Sequence, residues 1–314
     1  MDSEKLVDAI NDQKWLVPID KTLQKAADAT LNQGGETGKT VRDLLHGLWL
    51  GHPLHPVITD LPIGAWTIGV MCDGIGLLSG RKSAKKLEKC SQALTAIGLV
   101  GALGAAITGL NDWQHTHNTP RRVGTLHAVL NIGATVFYVA SLIMRRRGNT
   151  TSGKVVGWCG FGLMSAGAYL GGTLVYDEKI GVDHAPQRGE LPQEWTPVLA
   201  ESELAEGAMQ SVEVEAKTQK IQVLLARRDG QIYALANRCS HLGGPLNEGK
   251  MEGACVVCPW HKSQFSLEDG HVVHGPAASA QPTFETRVRD GQIEIKSRHP
   301  VPKDVANKQE WETV

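Results

Sequence analysis

The distribution of apolar and charged residues divides the chain into two unlike parts. Three long runs in the first part contain no Asp, Glu, Lys or Arg, and each is long enough for a helix that crosses about 30 Å of hydrocarbon. These runs are residues 91–111, 123–144 and 155–176. A fourth apolar stretch, near residues 57–79, contains Asp60 and Asp73. We predict four transmembrane helices rather than a large buried helical core, because the runs alternate with short charged connections.

The flanking segments follow other patterns. Residues 1–50 are polar, with short stretches of helical spacing and no apolar core of a cleavable signal peptide, so we expect a soluble or amphipathic segment. Beyond residue 185, short alternating runs are separated by three Asp-Gly pairs, which favour tight hairpin turns. The proline-containing residues 186–199 lie between the two parts and are predicted to form a linker.

These patterns predict a multidomain membrane protein with an α-helical four-span transmembrane bundle and a small all-β domain. The predicted domains are an N-terminal segment at residues 1–50, a membrane domain at 51–185, the linker at 186–199, a β domain at 200–297 and a tail at 298–314. The formal net charge is −1 and no stripe of Lys and Arg stands out, so we expect no nucleic-acid partner.

The predicted β domain contains two short motifs that each combine a cysteine with a histidine. One residue separates Cys239 from His241, and sixteen residues later a second pair, Cys258 and His261, follows. A zinc finger repeats Cys-x2–4-Cys and His-x3–5-His instead, so a Cys2His2 zinc site is the less favoured alternative. Mixed pairs suit a 2Fe–2S cluster in which two cysteines hold one iron and two histidines hold the other.

The residues beside these pairs strengthen that interpretation. Gly243-Gly244-Pro245 follows the first pair, and Lys262-Ser263-Gln264-Phe265 follows the second. With these motifs, residues from about 200 to 297 resemble a Rieske iron–sulfur domain. The ligands that the resemblance implies are Cys239 and Cys258 on one iron and His241 and His261 on the other.

Four neighbouring positions indicate which kind of Rieske domain this is. Rieske proteins of the quinol-oxidising cytochrome complexes carry an additional disulfide, and the matching positions here are Gly244 and Trp260. Those proteins also have a Ser and a Tyr after the second histidine, where this chain has Ser263 and Phe265. Fewer hydrogen bonds to the cluster lower its potential, so we expect a low or intermediate value, as in Rieske-type ferredoxins.

Seven histidines lie outside the β domain, and four antiparallel spans bring all of them towards one membrane face. They are His46, His52, His55, His115, His117, His127 and His184. We predict that His55 and His127 bind a cofactor. One hypothesis is b-type haem, with His127 facing His55, His115 or His117, and the other is a quinone pocket. The third interpretation is that these histidines are interfacial residues satisfied by water and backbone.

A second resemblance concerns the membrane domain. Gly51-His52-Pro53-Leu54-His55-Pro56, together with Ala128-Val129-Leu130-Asn131 and Gly171-Gly172, resembles an uncharacterised four-helix bacterial membrane family. Some members of that family carry a C-terminal Rieske domain, so the resemblance extends over the chain beyond residue 40. It implies no established chemistry.

Basic residues favour one orientation in a bacterial cell membrane. They cluster at residues 81–89 and 145–154, in the connections that follow the first and third predicted spans. The positive-inside rule places these connections in the cytoplasm, and both termini and the Rieske domain outside it. Iron–sulfur clusters are normally inserted in the cytoplasm, and no twin-arginine signal is visible, so the orientation stays open.

We therefore predict a multi-pass membrane protein that transfers one electron between a membrane donor, quinol or haem, and an unidentified redox partner protein. An oxygenase is disfavoured, because only residues 298–314 follow the Rieske segment and a mononuclear iron site needs a large catalytic domain. The alternative is a redox sensor or assembly subunit whose cluster state controls partner binding.

Overall fold

The computed structural model describes residues 3–187, 190–216 and 219–298. These residues form two compact units, the first ending at Gly181 and the second beginning at Val182. Most of the predicted tail, residues 299–314, lies outside the described residues.

The first unit consists of helices joined by short connections. Its three shorter helices are α1 (Ser3–Asn11), α2 (Leu16–Thr30) and α3 (Gly35–His46), and a 3-10 turn follows at Leu48–Leu50. Its four longer helices are α4 (Leu54–Leu77), α5 (Arg81–Trp113), α6 (Asn118–Arg146) and α7 (Thr150–Tyr176). Each of the four apolar stretches falls on one long helix, so the helical nature of this region is confirmed.

The shorter helices pack against the longer ones. Leu16 at the start of α2 is fully buried in a cluster with Val123 of α6 and Leu170 of α7. A polar contact supports this packing, because Nε of Arg121 donates to Oδ1 of Asp20 at 2.5 Å. The N-terminal segment is therefore part of the first unit, with Ile10 and Leu16 packed against the long helices, whereas Leu44 and Trp49 are exposed.

The four long helices have apolar side chains outside and several polar groups inside. Large apolar side chains are exposed on every one of them, for example Met71, Val100, Val136 and Val155. The buried polar residues on these helices are Asp73, Ser91, Thr95, Thr108, Asn111, Thr125, Ser141, Arg145 and Thr173. An exposed apolar surface of this extent marks contact with lipid or with another protein.

Among the described residues, two helices are long and apolar enough to cross a membrane, α5 and α6. Their most apolar stretches are only 28% and 22% buried, unlike the core helix of a water-soluble protein. Helix α4 contains Asp60 and Asp73, and α7 is rich in glycine. The four-helix part of the prediction is thus supported, whereas crossing by all four helices is not.

Glycines allow the long helices to approach closely. A Cβ atom on Gly98 would lie 2.1 Å from Nε1 of Trp66, whose ring stacks on Tyr138 with the centroids 4.0 Å apart. A Cβ atom on Gly160 would lie 3.2 Å from the ring of Tyr138. Small residues at such contacts favour helix association where lipid removes the hydrophobic effect.

A buried ion pair joins α4 to α6. Nη1 and Nη2 of Arg145 donate to the two carboxylate oxygens of Asp73, at 2.8 and 2.5 Å, and Nη1 also donates to Oγ of Ser91 on α5. Both charged side chains are 2% exposed. The sequence analysis counted Arg145 with the basic connection, and the structure corrects this, because bidentate pairing satisfies the guanidinium inside the bundle.

In its described residues, the second unit contains ten short strands. They are β1 (Thr196–Ala200), β2 (Met209–Glu215), β3 (Lys220–Arg228), β4 (Gln231–Ala236), β5 (Lys250–Glu252), β6 (Cys255–Val257), β7 (Gln264–Ser266), β8 (Val272–His274), β9 (Thr283–Arg289) and β10 (Gln292–Ser297). A six-stranded sheet has the order β1-β10-β9-β4-β3-β2, and a four-stranded sheet has the order β5-β6-β7-β8. All pairings are antiparallel, which confirms the predicted small β domain.

Two of the Asp-Gly pairs form the tightest hairpins. Asp229-Gly230 joins β3 to β4, with φ angles of 52° and 74°, and Asp290-Gly291 joins β9 to β10, with 52° and 73°. Two successive residues with positive φ define the hairpin turn that matches the twist of the strands, and Gly at the second position accepts this conformation without strain. These turns fix the register of the large sheet.

Strand β3 divides the second unit into two cores. Leu225 belongs to the core on one face of the large sheet, and Leu224 to the core on the other face. The second core also contains Phe265 of the small sheet and the two motif cysteines, Cys239 and Cys258. The cysteines are therefore held between the two sheets of this unit.

Candidate metal centre and membrane histidines

The two Cys/His motifs lie in loops that follow strands of different sheets. Cys239 and His241 are in the loop after β4, and Cys258 and His261 connect β6 to β7. Buried apolar strand residues precede each loop, so each cysteine enters the core as its strand ends.

The two loops are closed by the same backbone pattern. In the first, the N–H of Cys239 donates to the carbonyl of Gly244, and the N–H of Gly243 donates to the carbonyl of Cys239. In the second, the N–H of Cys258 donates to the carbonyl of Ser263, and the N–H of Lys262 donates to the carbonyl of Cys258. The fourth residue after each cysteine has a positive φ, 79° at Gly243 and 64° at Lys262. The repeated geometry presents the two cysteines in equivalent ways, whereas His241 follows its cysteine by two residues and His261 by three.

The side chains of the four motif residues converge. Cys239 and Cys258 are each 1% exposed and share a hydrogen bond. The rings of His241 and His261 are half-buried, with their centroids 5.0 Å apart and their planes perpendicular. The cysteines therefore form the inner end of the site and the histidines form its outer end.

The loops surround the sulfur atoms with hydrogen-bond donors. The hydrogen bond with Cys239, assisted by the N–H groups of Trp260 and His261, lowers the pKa of Cys258 to about 6. The same thiol–thiol hydrogen bond, with burial, raises the pKa of Cys239. One thiolate is thus stabilised near neutral pH, and backbone N–H groups at sulfur are the donors that stabilise an anionic sulfur centre.

A third loop, residues 275–281, holds the first two in place. The buried side-chain amide of Gln281 accepts from the N–H of Ser240 and donates to the carbonyls of Ala236 and Arg238, at 3.0, 2.7 and 2.6 Å. The N–H of Ala277 donates to Oγ of Ser263 at 3.1 Å. Sequence reasoning missed Gln281, because nothing in its local pattern distinguishes a buried glutamine from a surface one.

Gly244 and Trp260, which match the disulfide positions of the Rieske proteins of the cytochrome complexes, lie against each other. A Cβ atom on Gly244 would lie 3.0 Å both from Sγ of Cys258 and from Cδ2 of Trp260. The indole ring of Trp260 is 54% exposed, and its centroid lies 6.3 Å from that of His261. An aromatic side chain against a glycine therefore covers the place that the disulfide would take.

The donor set fits a two-iron cluster better than a single ion. Within the described residues, no three His, Cys, Asp or Glu side chains surround one ion position. A structural zinc ion needs four donors around one point, whereas each iron of a Rieske centre takes two protein ligands. Two buried cysteines facing two half-buried histidines match the second arrangement.

In the first unit, the structure brings His55 and His127 together. Their ring centroids lie 6.3 Å apart, with an angle of 81° between the planes. Nδ1 of His55 donates to the carbonyl of Ala105 on α5 at 3.0 Å, and Nδ1 of His127 donates to the carbonyl of Gly167 on α7 at 2.8 Å. A neighbouring helix therefore orients each imidazole: α5 orients His55 of α4, and α7 orients His127 of α6.

The remaining histidines of this unit are arranged differently. His115, which the sequence analysis considered as a partner of His127, lies beside His46, with ring centroids 5.5 Å apart. Nδ1 of His46 lies 2.9 Å from Oδ1 of Asp112 and the ring is buried. The carboxylate of Asp112 was not anticipated, because its 66-residue separation from His46 leaves no local signal.

Comparisons with known proteins match each unit to a family. Residues 194–285 match the Rieske [2Fe-2S] domain, and residues 51–184 match a predicted membrane protein family, DUF2231. The Rieske match implies a 2Fe–2S cluster and electron transfer, and the DUF2231 match suggests membrane association.

Three individual proteins illustrate the similarity of the second unit. The 3-phenylpropionate/cinnamic acid dioxygenase ferredoxin subunit of Photorhabdus laumondii is 33% identical over 99 residues, which cover 31% of this chain and 90% of that protein. Apoptosis-inducing factor 3 of Mus musculus is 27% identical over 122 residues, 36% of this chain but 20% of that protein. A solved complex of reduced oxygenase and oxidised ferredoxin in carbazole 1,9a-dioxygenase matches 35% of this chain and 99% of its own, with 24% identity and a TM-score of 0.31.

The ferredoxin subunit is matched over nearly its whole length at more than 30% identity, and each unit of the present chain matches one family model. The chain therefore belongs to the Rieske [2Fe-2S] family, and joins a Rieske domain to an N-terminal domain of the predicted membrane protein family DUF2231.

Proposed function

We propose that this protein is a membrane-anchored electron carrier that passes one electron at a time between a donor in the membrane and a redox partner protein. The observation that carries the proposal is the pair of equivalent loops, which present two buried cysteines and two half-buried histidines. A 2Fe–2S cluster bound there supplies a one-electron redox couple.

The proposed ligands are Cys239 and Cys258 on the inner iron and His241 and His261 on the outer iron. Nδ1 of His241 is buried although its ring is half-buried, so we assign Nδ1 as the ligating atom and Nε2 as the atom that faces outward. An outward-facing Nε2 can hold or release a proton as the charge of the site changes. The histidine end is also the end where a partner protein would approach.

The proposed anchor is a bundle in which all four long helices cross the membrane. Exposed apolar side chains on α4 and α7, such as Met71 and Val155, support this for the two helices whose composition is marginal. The buried pairing of Asp73 with Arg145 supports it too, since charges within a membrane bundle face inward and pair.

The proposed orientation places the Rieske domain outside the cytoplasm of a bacterial cell. With Arg145 removed from the count, the cytoplasmic side still has Arg81, Lys82, Lys85, Lys86 and Lys89 in the first turns of α5, and Arg146 and Arg147 at the end of α6.

The proposed entry point for electrons is the pair His55 and His127. A backbone carbonyl accepts the Nδ1 proton of each ring, so each neutral imidazole has its lone pair on Nε2. A lone pair there suits the iron of a b-type haem, or the hydroxyl of a quinol that gives up a proton on oxidation, and does not suit the carbonyl of a quinone. At His127, Nδ2 of Asn131 lies 3.3 Å from Nε2, so a haem or quinol would replace this amide as the partner of the lone pair. Quinol and haem remain the two candidate donors.

The proposed acceptor is a protein. The relative from Photorhabdus laumondii is named as a ferredoxin subunit of a dioxygenase, and by analogy we propose an oxygenase or reductase as the partner of this chain. A redox sensor or assembly subunit is the alternative function.

An anaerobic redox titration of the full chain in detergent, followed by EPR and visible absorption, tests the proposal. We expect a Rieske signal that is lost in His261→Ala and kept in His271→Ala, a matched exposed histidine outside the two loops. Additional b-haem bands that disappear in His127→Ala would identify haem, and a Rieske signal alone would favour quinol. A zinc-loaded protein without iron would refute the proposal.

A second measurement separates the carrier from the sensor. Quinol-dependent electron flux in membrane vesicles that contain the full chain is expected to fall in His261→Ala and to persist in His271→Ala. An unchanged flux with altered assembly of a larger complex would favour the sensor instead.

A further inference from the structure

Two cysteines outside the Rieske domain form a close pair. Sγ of Cys72 on α4 lies 3.8 Å from Sγ of Cys90 on α5, and both are free thiols. They are 18 positions apart in the sequence.

The backbones of α4 and α5 are close together on both sides of this pair. A Cβ atom on Gly69 would lie 3.7 Å from the carbonyl oxygen of Ser91, and one on Gly76 would lie 3.9 Å from Cα of Ala84. Residues 69 and 76 flank Cys72 by about one helical turn each. The two thiols therefore face each other at a tight helix crossing, where a disulfide needs little movement of the backbone.

The two thiols differ in access. Cys90 is exposed and Cys72 is buried. In the sequence, Cys90 follows the last residue of the charged stretch 81–89 and precedes the uncharged run 91–111. This position lies at the edge of the proposed span, where a water-soluble oxidant has access to Cys90 first.

We propose that Cys72 and Cys90 are a peroxide-sensitive thiol pair that closes to a reversible disulfide between α4 and α5. The Cys90 sulfur attacks the O–O bond of a hydroperoxide, which leaves a sulfenic acid and releases water or an alcohol. The Cys72 sulfur then attacks the Cys90 sulfur, the S–O bond breaks, and the leaving hydroxyl takes the proton of the Cys72 thiol and departs as water. Two thiols are thereby oxidised by two electrons, and one peroxide is reduced.

The disulfide would form beside the ion pair that joins α4, α5 and α6. Asp73 and Ser91 are the next residues after Cys72 and Cys90, and both contact the guanidinium of Arg145. A covalent link between residues 72 and 90 thus holds together the two helices that supply this contact. The proposal is independent of the electron-transfer function assigned to the Rieske domain.

The test uses the reduced full chain in detergent, treated with hydrogen peroxide, then denatured and alkylated with N-ethylmaleimide for peptide mass analysis. We expect the loss of two alkylatable thiols at Cys72 and Cys90, a cross-linked peptide containing both, and full recovery with dithiothreitol. The matched control is Cys159→Ser, which removes an exposed cysteine of α7 and is expected to leave the cross-link unchanged.

The Cys72→Ser variant separates the two steps. Without the buried thiol, Cys90 is expected to accumulate as a sulfenic acid that dimedone traps, and no intramolecular cross-link forms. Peptide mapping also distinguishes this pair from the Rieske cysteines if peroxide destroys the cluster. Three outcomes would overturn the proposal. They are a Cys90–Cys90 link between two chains, a link to Cys159, and irreversible oxidation of Cys90 while Cys72 can still be alkylated.

Discussion

Replacing Arg145 with Met is expected to destabilise the helical unit by about 3–5 kcal/mol, the usual cost of removing one partner of a buried ion pair. The carboxylate of Asp73, 2% exposed, would lose both of its guanidinium hydrogen bonds, at 2.8 and 2.5 Å. A loss of about 3 kcal/mol lowers the ratio of folded to unfolded protein by roughly 100-fold.

Thermal unfolding of the full chain in detergent, followed by the helical circular dichroism signal, measures this effect. That signal reports mainly the first unit, because the second consists largely of strands. Arg146→Met is the matched control, since Arg146 is exposed on the same helix and its removal is expected to have little effect.

A double variant, Asp73→Leu with Arg145→Met, identifies the origin of the loss. Because it leaves no unpaired charge, we expect it to recover most of the stability that the single variant loses. Equal melting temperatures for Arg145→Met and Arg146→Met would refute the reasoning. A double variant as unstable as the single one would instead assign the cost to packing of the arginine stem, which lies against Gly153.

Three further predictions concern the Rieske domain. His241→Cys is expected to keep a cluster and to lower its potential towards the values near −400 mV of all-cysteine ferredoxins, measured by EPR redox titration; an unchanged potential would contradict the ligand assignment. Gly244→Val is expected to reduce cluster content per chain, measured by iron and sulfide analysis, because its Cβ would lie 3.0 Å from Sγ of Cys258; full occupancy would contradict this. The hydroxyl of Ser266, with smaller contributions from His271, lowers the pKa of Asp269 from 3.8 to about 2. The folded-state carboxylate therefore adds stability above pH 3.8, and this stability is lost as the pH falls through about 2. Asp269→Asn is expected to weaken the dependence of the melting temperature on acid pH. An identical dependence in the variant would count against the contact.

The parts of this protein that sequence analysis predicted depend on local signals. The ligand motif keeps its four residues within two short segments, and the Asp-Gly pairs encode their own backbone conformation, so neither needs knowledge of the rest of the chain. Each uncharged run likewise predicts a helix from its own composition. Composition alone did not decide how many helices cross the membrane. The charge of Asp73 counts against α4 in the sequence, but in the fold it is paired with Arg145, a residue 72 positions away.

The contacts that could not be predicted join residues distant in sequence. His46 contacts Asp112, and Gln281 reaches back to Ser240 across 41 residues, in each case through a side chain common on protein surfaces. Lys262 is a different case, because its positive φ is imposed by the second cluster loop at a position where the first loop uses Gly243. Only the comparison of the two folded loops reveals that these residues are equivalent.

The backbone pattern that closes both cluster loops has a consequence for how metal binding is coupled to folding. In a zinc finger the ligands are the main cross-links, and the domain is unfolded without its ion. Here reciprocal backbone hydrogen bonds close each loop, and the amide of Gln281 ties the first loop to the end of β4, without any contribution from iron. The two loops therefore have backbone and side-chain cross-links in addition to the four proposed cluster ligands, so they do not depend on the metal ligands alone for their closure.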